Sequence, residues 1–162
     1  MFRSFFLDRR WALWSWIGGA VIIFVTWYKV ELDVEINEWF GSFYDIIQKA
    51  LGTPGAITAE EYYLQLATFG KIAGLYILIA VLIEFFTKHW IFRWRTAMNN
   101  FYMSHWQYLR HIEGASQRVQ EDTMRFARIM EGLGISFVRS ILTLIAFLPI
   151  LWELSKKVTE LP

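Results

Sequence analysis

Residues 88–126 read KHWIFRWRTAMNNFYMSHWQYLRHIEGASQRVQEDTMRF, a polar stretch that is rich in arginine and tryptophan. It lies between two segments, residues 72–86 and 135–154, that are apolar enough to cross a lipid bilayer. A soluble enzyme would not isolate a polar block between two segments of this kind. The order of the segments therefore predicts a membrane protein in which long helices leave the bilayer and return to it.

The composition supports this class. Of the 162 residues, 56% are hydrophobic and 19% are aromatic, which is more than a soluble domain usually contains. The net charge of +1 argues against nucleic acid or acidic surfaces as main partners. The absence of cysteine excludes a disulfide framework, a thiolate nucleophile and a cysteine-ligated metal. The chain also lacks the GxxxxGK[ST] motif, so it contains no P-loop for ATP.

Three transmembrane helices are predicted, at about residues 11–28, 64–87 and 134–154. A helix needs roughly 20 apolar residues to cross a ~30 Å hydrocarbon core, and each segment approaches or reaches that length. A cleaved signal peptide is the alternative for the first segment, but no small-x-small cleavage site follows it. We predict an all-α integral membrane protein in which residues 1–162 form a single membrane domain with long cytoplasmic helix extensions.

Several sequence signals predict where the helices begin and end. Residues 37–51 have helical apolar spacing and are predicted to form a separate amphipathic helix, on the membrane or packed on other spans. The glycines and proline of residues 52–55 are a break. Thr58 and Glu61 then form a capping box that places a helix start close to Ala59.

The helix that starts near Ala59 is expected to continue for about fifty residues and some 75 Å, as far as Gly114. A new helix is predicted over residues 117–131, with opposite charges four residues apart, such as Glu121 and Arg125. Residues 132–134, Gly-Leu-Gly, are predicted to lead into the third span.

The distribution of charge predicts the orientation in the membrane. Lysine and arginine are in excess at the amino terminus and in residues 88–128, whereas residues 29–61 are acidic. The positive-inside rule then places the amino terminus and residues 88–128 in the cytoplasm. Residues 29–61, interpreted as the first loop, and the carboxy-terminal tail are expected outside.

Glu84 is the main candidate for a functional carboxylate, because an acidic group at membrane depth can take up and release a proton near neutral pH. The alternative is a salt bridge with Lys88, one helical turn later. His89, His105 and His111 do not share one helical face at metal-ligand spacing, so no metal site is predicted.

Arg93 and Arg95 lie among three tryptophans, which are Trp90, Trp94 and Trp106. Arginines interleaved with aromatic residues can stack on single-stranded nucleic acid. Their position directly after a predicted span instead favours anchoring at anionic lipid headgroups. We therefore expect the lipid bilayer, and not nucleic acid, as the partner of this block.

Two stretches resemble a known family. NEWFGSFYDIIQKAL resembles the motif that follows the first span of the SbmA/BacA peptide transporters, and RWRTAMNNFYMSHW together with HIEGASQRVQEDTMRF resembles their cytoplasmic segment. The residues that carry the resemblance are Asn37, Trp39, Phe43, Tyr44, Gln48, Gln117, Arg118, Glu121, Asp122 and Phe126. Fatty-acid ABC transporters of the peroxisomal type are weaker relatives, since Ser116 stands where they usually have aspartate.

The resemblance implies an ABC-exporter-like transmembrane fold and a proton-driven homodimer of the bacterial inner membrane. Such proteins import antimicrobial peptides and peptide-like antibiotics, including microcins, proline-rich peptides and bleomycin-like drugs. They are not enzymes and need no cofactor, and this chain contains no ATPase domain. The chain would be an amino-terminal portion, and the remainder would hold most of the proton-coupling glutamates.

The resemblance also implies a role for the polar cluster that begins at Gln117. In ABC relatives the corresponding turn contacts the ATPase, whereas here the cluster is expected to brace the cytoplasmic helices of the dimer. Two other functions are considered. One is a truncated, non-transporting membrane protein that associates with a full-length transporter, and the other is the membrane subunit of an ABC-type acyl-chain transporter.

Overall fold

The computed structural model describes residues 2–53 and 55–157, with the backbone alone at Lys157. Every regular element in these ranges is helical. The helices are α1 (Arg3–Phe6), α2 (Ala12–Gly52), α3 (Ala59–Ser104), α4 (Trp106–Leu109), α5 (Ala115–Ile129) and α6 (Ile135–Lys157), with a π-helical turn at Met130–Gly134.

Three helical segments are long and apolar enough to cross a membrane. They are Ala12–Gly52, Ala59–Ser104 and the continuous run Ala115–Lys156, and each contains one of the predicted spans. Large apolar side chains along these segments are exposed, such as Ile77 and Leu144. Such exposure is unfavourable in water and suits a lipid environment. The predicted class, an all-α membrane protein with three apolar helices of spanning length, is confirmed.

Helix α2 is a single element of 41 residues, about 60 Å long. Residues 37–51 are helical and pack on α3 through Trp39, as predicted, but they are the last part of α2 and not a separate helix. The prediction of a loop directly after the first span was wrong. Residues 29–36 change from apolar to acidic, but they contain no glycine or proline. A change of charge alone does not stop a helix, because glutamate is a good helix former.

The start of α3 agrees with the capping box. The backbone N–H of Thr58 donates to Glu61 Oε2 at 2.9 Å, and the backbone N–H of Glu61 donates to Thr58 Oγ1 at 3.2 Å. These reciprocal bonds satisfy two amide groups at the helix start. The predicted start at Ala59 is confirmed.

Helix α3 ends at Ser104 and not at Gly114, so the predicted fifty-residue helix is 46 residues long, about 70 Å. Ser104 Oγ donates to the carbonyl oxygen of Phe101 at 2.7 Å, and a ring nitrogen of His105 lies 2.9 Å from the same oxygen. Side chains that bond nearby carbonyl groups compete with the helix for its acceptors. Gly114 is instead the residue that precedes α5, with a φ of 73° that favours glycine.

The connection between α5 and α6 is a π-helical turn, Met130–Gly134, and not a break. Residues 132–134 lead into the third span, as predicted. A π-helical turn inserts an extra residue and keeps the helix continuous. A Cβ atom at Gly134 would lie 3.0 Å from Met130 Cε, so glycine leaves room for the Met130 side chain.

The described residues divide into two compact units. The first combines residues of Met1–Val25 with Ile83–Ser140, and the second combines residues of Thr26–Leu82 with Ile141–Pro162. The core of the first unit is largely aromatic and contains Phe5, Ile22, Trp90, Ile91, Trp94, Ala97 and Met98. In the second unit Val30, Leu32, Trp39 and Ile72 are buried.

Candidate functional site

Short helix α1 places the side chain of Phe5 inside the first unit, where it is fully buried. Its ring centroid lies 5.4 Å from that of Trp94, stacked at 12°, and 5.3 Å from that of Trp90, edge to face. Trp90 Nε1 donates to the carbonyl oxygen of Ser15 at 3.3 Å. Aromatic pairs in these geometries stabilise beyond the area they bury.

This packing corrects the prediction for two of the three tryptophans. Trp90 and Trp94 are 6% and 5% exposed, so they are core residues of the first unit and not anchors at a lipid surface. The reason is long-range: Phe5, more than eighty residues earlier, supplies the apolar partner that local spacing cannot reveal.

Arg93 also turns toward the protein. Its guanidinium carbon lies 4.5 Å from the ring centroid of Trp14, and its Nε donates to His89 Nε2 at 3.1 Å. A cation over an indole ring is worth about 0.5–2 kcal/mol. The expectation that Arg93 acts together with Arg95 at lipid headgroups was therefore wrong for Arg93, which is engaged with α2.

Glu84 forms the salt bridge that the sequence offered as its alternative interpretation. Lys88 Nζ lies 2.7 Å from Glu84 Oε1 and 3.9 Å from Glu131 Oε1, in the π-helical turn. Lys88 follows the predicted span, and its hydrogen bond to Glu84 and the charge of that carboxylate raise the pKa of its ammonium group. The pairing is confirmed, and a proton-coupling role for Glu84 stays a prediction.

The first family motif lies in α2, in the second unit. Trp39 is buried, donates through Nε1 to the carbonyl oxygen of Gln65 at 3.0 Å, and stacks on Phe43 with ring centroids 4.8 Å apart. Asn37, Tyr44 and Gln48 are exposed. The motif thus has an inner part that fastens α2 to α3 and an outer part that is open to a partner.

The second family motif, in α5, is divided in the same way. Phe126 packs edge to face on Trp94 with ring centroids 4.8 Å apart, whereas Gln117, Arg118, Glu121 and Asp122 are exposed. Gln117 Nε2 donates to Glu121 Oε1 at 2.9 Å, so the carboxylate that was expected to bond Arg125 bonds the preceding turn. The exposed members form one polar face that is free to meet another molecule.

Sequence analysis did not find two open cavities between α3 and α5, of about 630 Å³ and about 380 Å³. Phe92 and Arg95 line both of them. Thr123, at 2% exposed, lines the larger cavity together with Asn99 and Gln120. The signal that could have found them is the alternation of aromatic and basic residues on one face of α3.

Comparison with known proteins identifies the family. The model of the SbmA/BacA-like family matches residues 8–162, nearly the whole chain. The chain belongs to the SbmA/BacA-like family. It is therefore part of a membrane transporter family, as the two motifs predicted.

This SbmA/BacA-like chain is also similar to a curated protein of Escherichia coli (strain K12), the inner membrane ABC transporter ATP-binding protein YddA. The two are 24% identical over 136 residues, which cover 76% of this chain and 23% of the relative. The chain thus spans about a quarter of the length of the relative that it matches.

Proposed function

We propose that this chain is part of a proton-driven importer of antimicrobial peptides and peptide-like antibiotics, such as microcins, proline-rich peptides and bleomycin-like drugs. The observation that carries the proposal is the family match over residues 8–162, on a chain with three apolar helices of spanning length. Because the chain spans 23% of the length of its curated relative, the activity is proposed for the complete transporter that contains it.

The proposed setting is the bacterial inner membrane, with the amino terminus in the cytoplasm. The excess of lysine and arginine at the amino terminus and in residues 88–128 supports this orientation. The transporter is proposed to work as a homodimer. The exposed polar face of α5, formed by Gln117, Arg118, Glu121 and Asp122, supports this, because those groups can bond a second copy without disturbing the core.

The proposed proton-coupling role of Glu84 rests on its position. It lies at the end of the apolar stretch and bonds Lys88, which in turn lies near Glu131. Protonation of Glu84 would neutralise its carboxylate. Glu131 would then be the charged partner of Lys88. A change of partner of this kind is a simple way for a proton to alter the contact between α3 and the π-helical turn.

Sensitivity of a transporter-null bacterial strain to a proline-rich antimicrobial peptide tests the proposal. The complete transporter should restore sensitivity, and a protonophore should abolish peptide uptake while cellular ATP is maintained. An empty vector and a variant with a stop codon after the first span are the controls. Failure of the complete transporter to restore sensitivity would refute peptide import.

A second candidate is transport driven by ATP, as in an ABC transporter for acyl chains. The similarity to a protein named as an ABC transporter ATP-binding protein favours it. A nucleotide-binding domain or partner would then be required, because this chain contains no P-loop motif. Uptake that resists a protonophore and stops when ATP is depleted would select this candidate over proton coupling.

A further inference from the structure

We propose that the groove between α3 and α5 in the first unit binds the phosphate of an anionic phospholipid headgroup, with Arg95 and Arg128 as its ligands. This inference goes beyond transport itself, because it assigns a lipid site to one face of the protein. It rests on the positive charge of the groove, on the lack of an acceptor for Arg95 among the described residues, and on the exposed aromatic residues beside the groove.

The smaller cavity carries a net positive charge. Its charged lining groups are Lys88, Arg95 and Arg128, opposed by the carboxylate of Glu131. Lys88 lies 2.7 Å from Glu84 and 3.9 Å from Glu131, and these two carboxylates exceed the single charge of its ammonium group. With Glu84 included, three cations against two carboxylates leave a net charge of +1. The two arginines therefore supply the charge that is available to an anion.

Arg95 is half-buried and lines both cavities. Within residues 2–53 and 55–157, its guanidinium group makes no hydrogen bond, ion pair or ring contact. Arg128 Nη2 is 3.9 Å from the sulfur of Met124, which is a weak acceptor. A partly buried guanidinium group without an acceptor is unfavourable, and a phosphate group satisfies its paired N–H donors well.

The position of the groove favours a lipid over a soluble anion. Phe85, Lys88, Phe92 and Arg95 recur at intervals of three and four residues and therefore share one face of α3. Phe85 and Phe92 are 71% and 62% exposed, which suits contact with an acyl chain. Arg95 lies seven residues, about 10 Å, beyond Lys88, where a long side chain can meet the headgroup layer.

Retention of lipid by the complete transporter tests the site. The protein is reconstituted in nanodiscs of phosphatidylcholine and phosphatidylglycerol in equal amounts, then released into detergent for native mass spectrometry. Arg95→Gln and Arg128→Gln should each reduce bound phosphatidylglycerol about fivefold, the effect of removing one cation near an anionic surface. Arg125→Gln is the matched control, because Arg125 is exposed on α5 and lines neither cavity; this variant should bind as wild type does.

Two results would overturn the proposal. One is equal phosphatidylglycerol binding by wild type and both arginine variants, or none by wild type. The other combines two observations: millimolar inorganic phosphate displaces the lipid, and the wild type binds phosphate in phosphatidylcholine alone whereas Arg95→Gln does not. Together they would show that the groove is a site for a soluble anion. Arg95→Lys keeps the charge, so its bound phosphatidylglycerol should be about midway between that of Arg95→Gln and that of wild type. Such a result would show that Arg95→Gln loses lipid binding and is not simply misfolded.

Discussion

Residue 18 of α2 is a glycine, and the packing of Trp90 depends on the missing side chain. A Cβ atom at Gly18 would lie 2.5 Å from Trp90 Cδ1, which is closer than any real contact of that kind. At the neighbouring Gly19 the nearest Trp90 atom would be 3.7 Å away, an ordinary contact. Two adjacent glycines in the same helix thus differ in the room that each leaves beside the Trp90 ring.

Gly18→Ala should therefore destabilise the protein relative to Gly19→Ala by about 1–3 kcal/mol, the usual cost of overpacking a core. Both variants gain the same helix propensity, so the difference between them isolates the clash with Trp90. Thermal unfolding in one detergent measures it. Equal melting temperatures for the two variants would show that the Trp90 ring does not lie against Gly18.

Sequence reasoning singled out two members of this core, Trp90 and Trp94, but not the core itself. Trp90 and Trp94 were recognised as unusual, yet they were assigned to a lipid interface, because a helical pattern does not show that Phe5 lies against them. Arg93 was misassigned for the same reason, since Trp14 is its partner from α2. Contacts between residues far apart in the chain are seen only in the folded structure. The pair Glu84–Lys88 could be predicted, because its members lie one helical turn apart.

At the scale of the elements, local signals predicted boundaries well where they depend on backbone hydrogen bonds. The capping box fixed the start of α3 at Ala59, and the break after Gly52 ended α2. The acidic residues 29–36 were misread as a loop, because charge marks solvent exposure and not the end of a helix. The π-helical turn at Met130–Gly134 was missed, because glycines indicate flexibility without showing which turn will form.

Thr58→Ala should weaken the first turn of α3 by about 1 kcal/mol, because the backbone N–H of Glu61 loses its acceptor. Hydrogen exchange at the amides of residues 59–62 should then become about fivefold faster. Thr53→Ala is the control, since this threonine lies within the break at residues 52–55 and takes no part in the capping box. Unchanged exchange in Thr58→Ala would contradict the reciprocal bonds described for Thr58 and Glu61.

At the scale of the whole molecule, the class and the family follow from features spread along the chain. Three apolar segments of spanning length and two motifs in different helices identify a member of the SbmA/BacA-like family. Each motif combines buried aromatic residues, such as Trp39 and Phe126, with exposed polar ones. The buried members explain how the helices pack, and the exposed members are the surfaces through which the proposed dimer would form.

Glu84→Gln in the complete transporter should reduce peptide uptake about tenfold or more if this carboxylate carries a coupling proton. The comparison variant is Glu131→Gln, which removes the second carboxylate near Lys88 but leaves the coupling carboxylate at Glu84, and it should reduce uptake less than Glu84→Gln does. Initial rates of labelled peptide uptake in cells, normalised to the amount of transporter in the membrane, measure both. An equal effect of the two substitutions would assign Glu84 to structure alone.

The most direct test of the central claim uses the purified complete transporter in sealed vesicles, with a fluorescent proline-rich peptide outside and no nucleotide present. A proton gradient imposed across the vesicle membrane should drive accumulation of the peptide. A protonophore, which removes the gradient, should abolish that accumulation. Accumulation that does not depend on the gradient and begins only when ATP is supplied would contradict proton-driven peptide import.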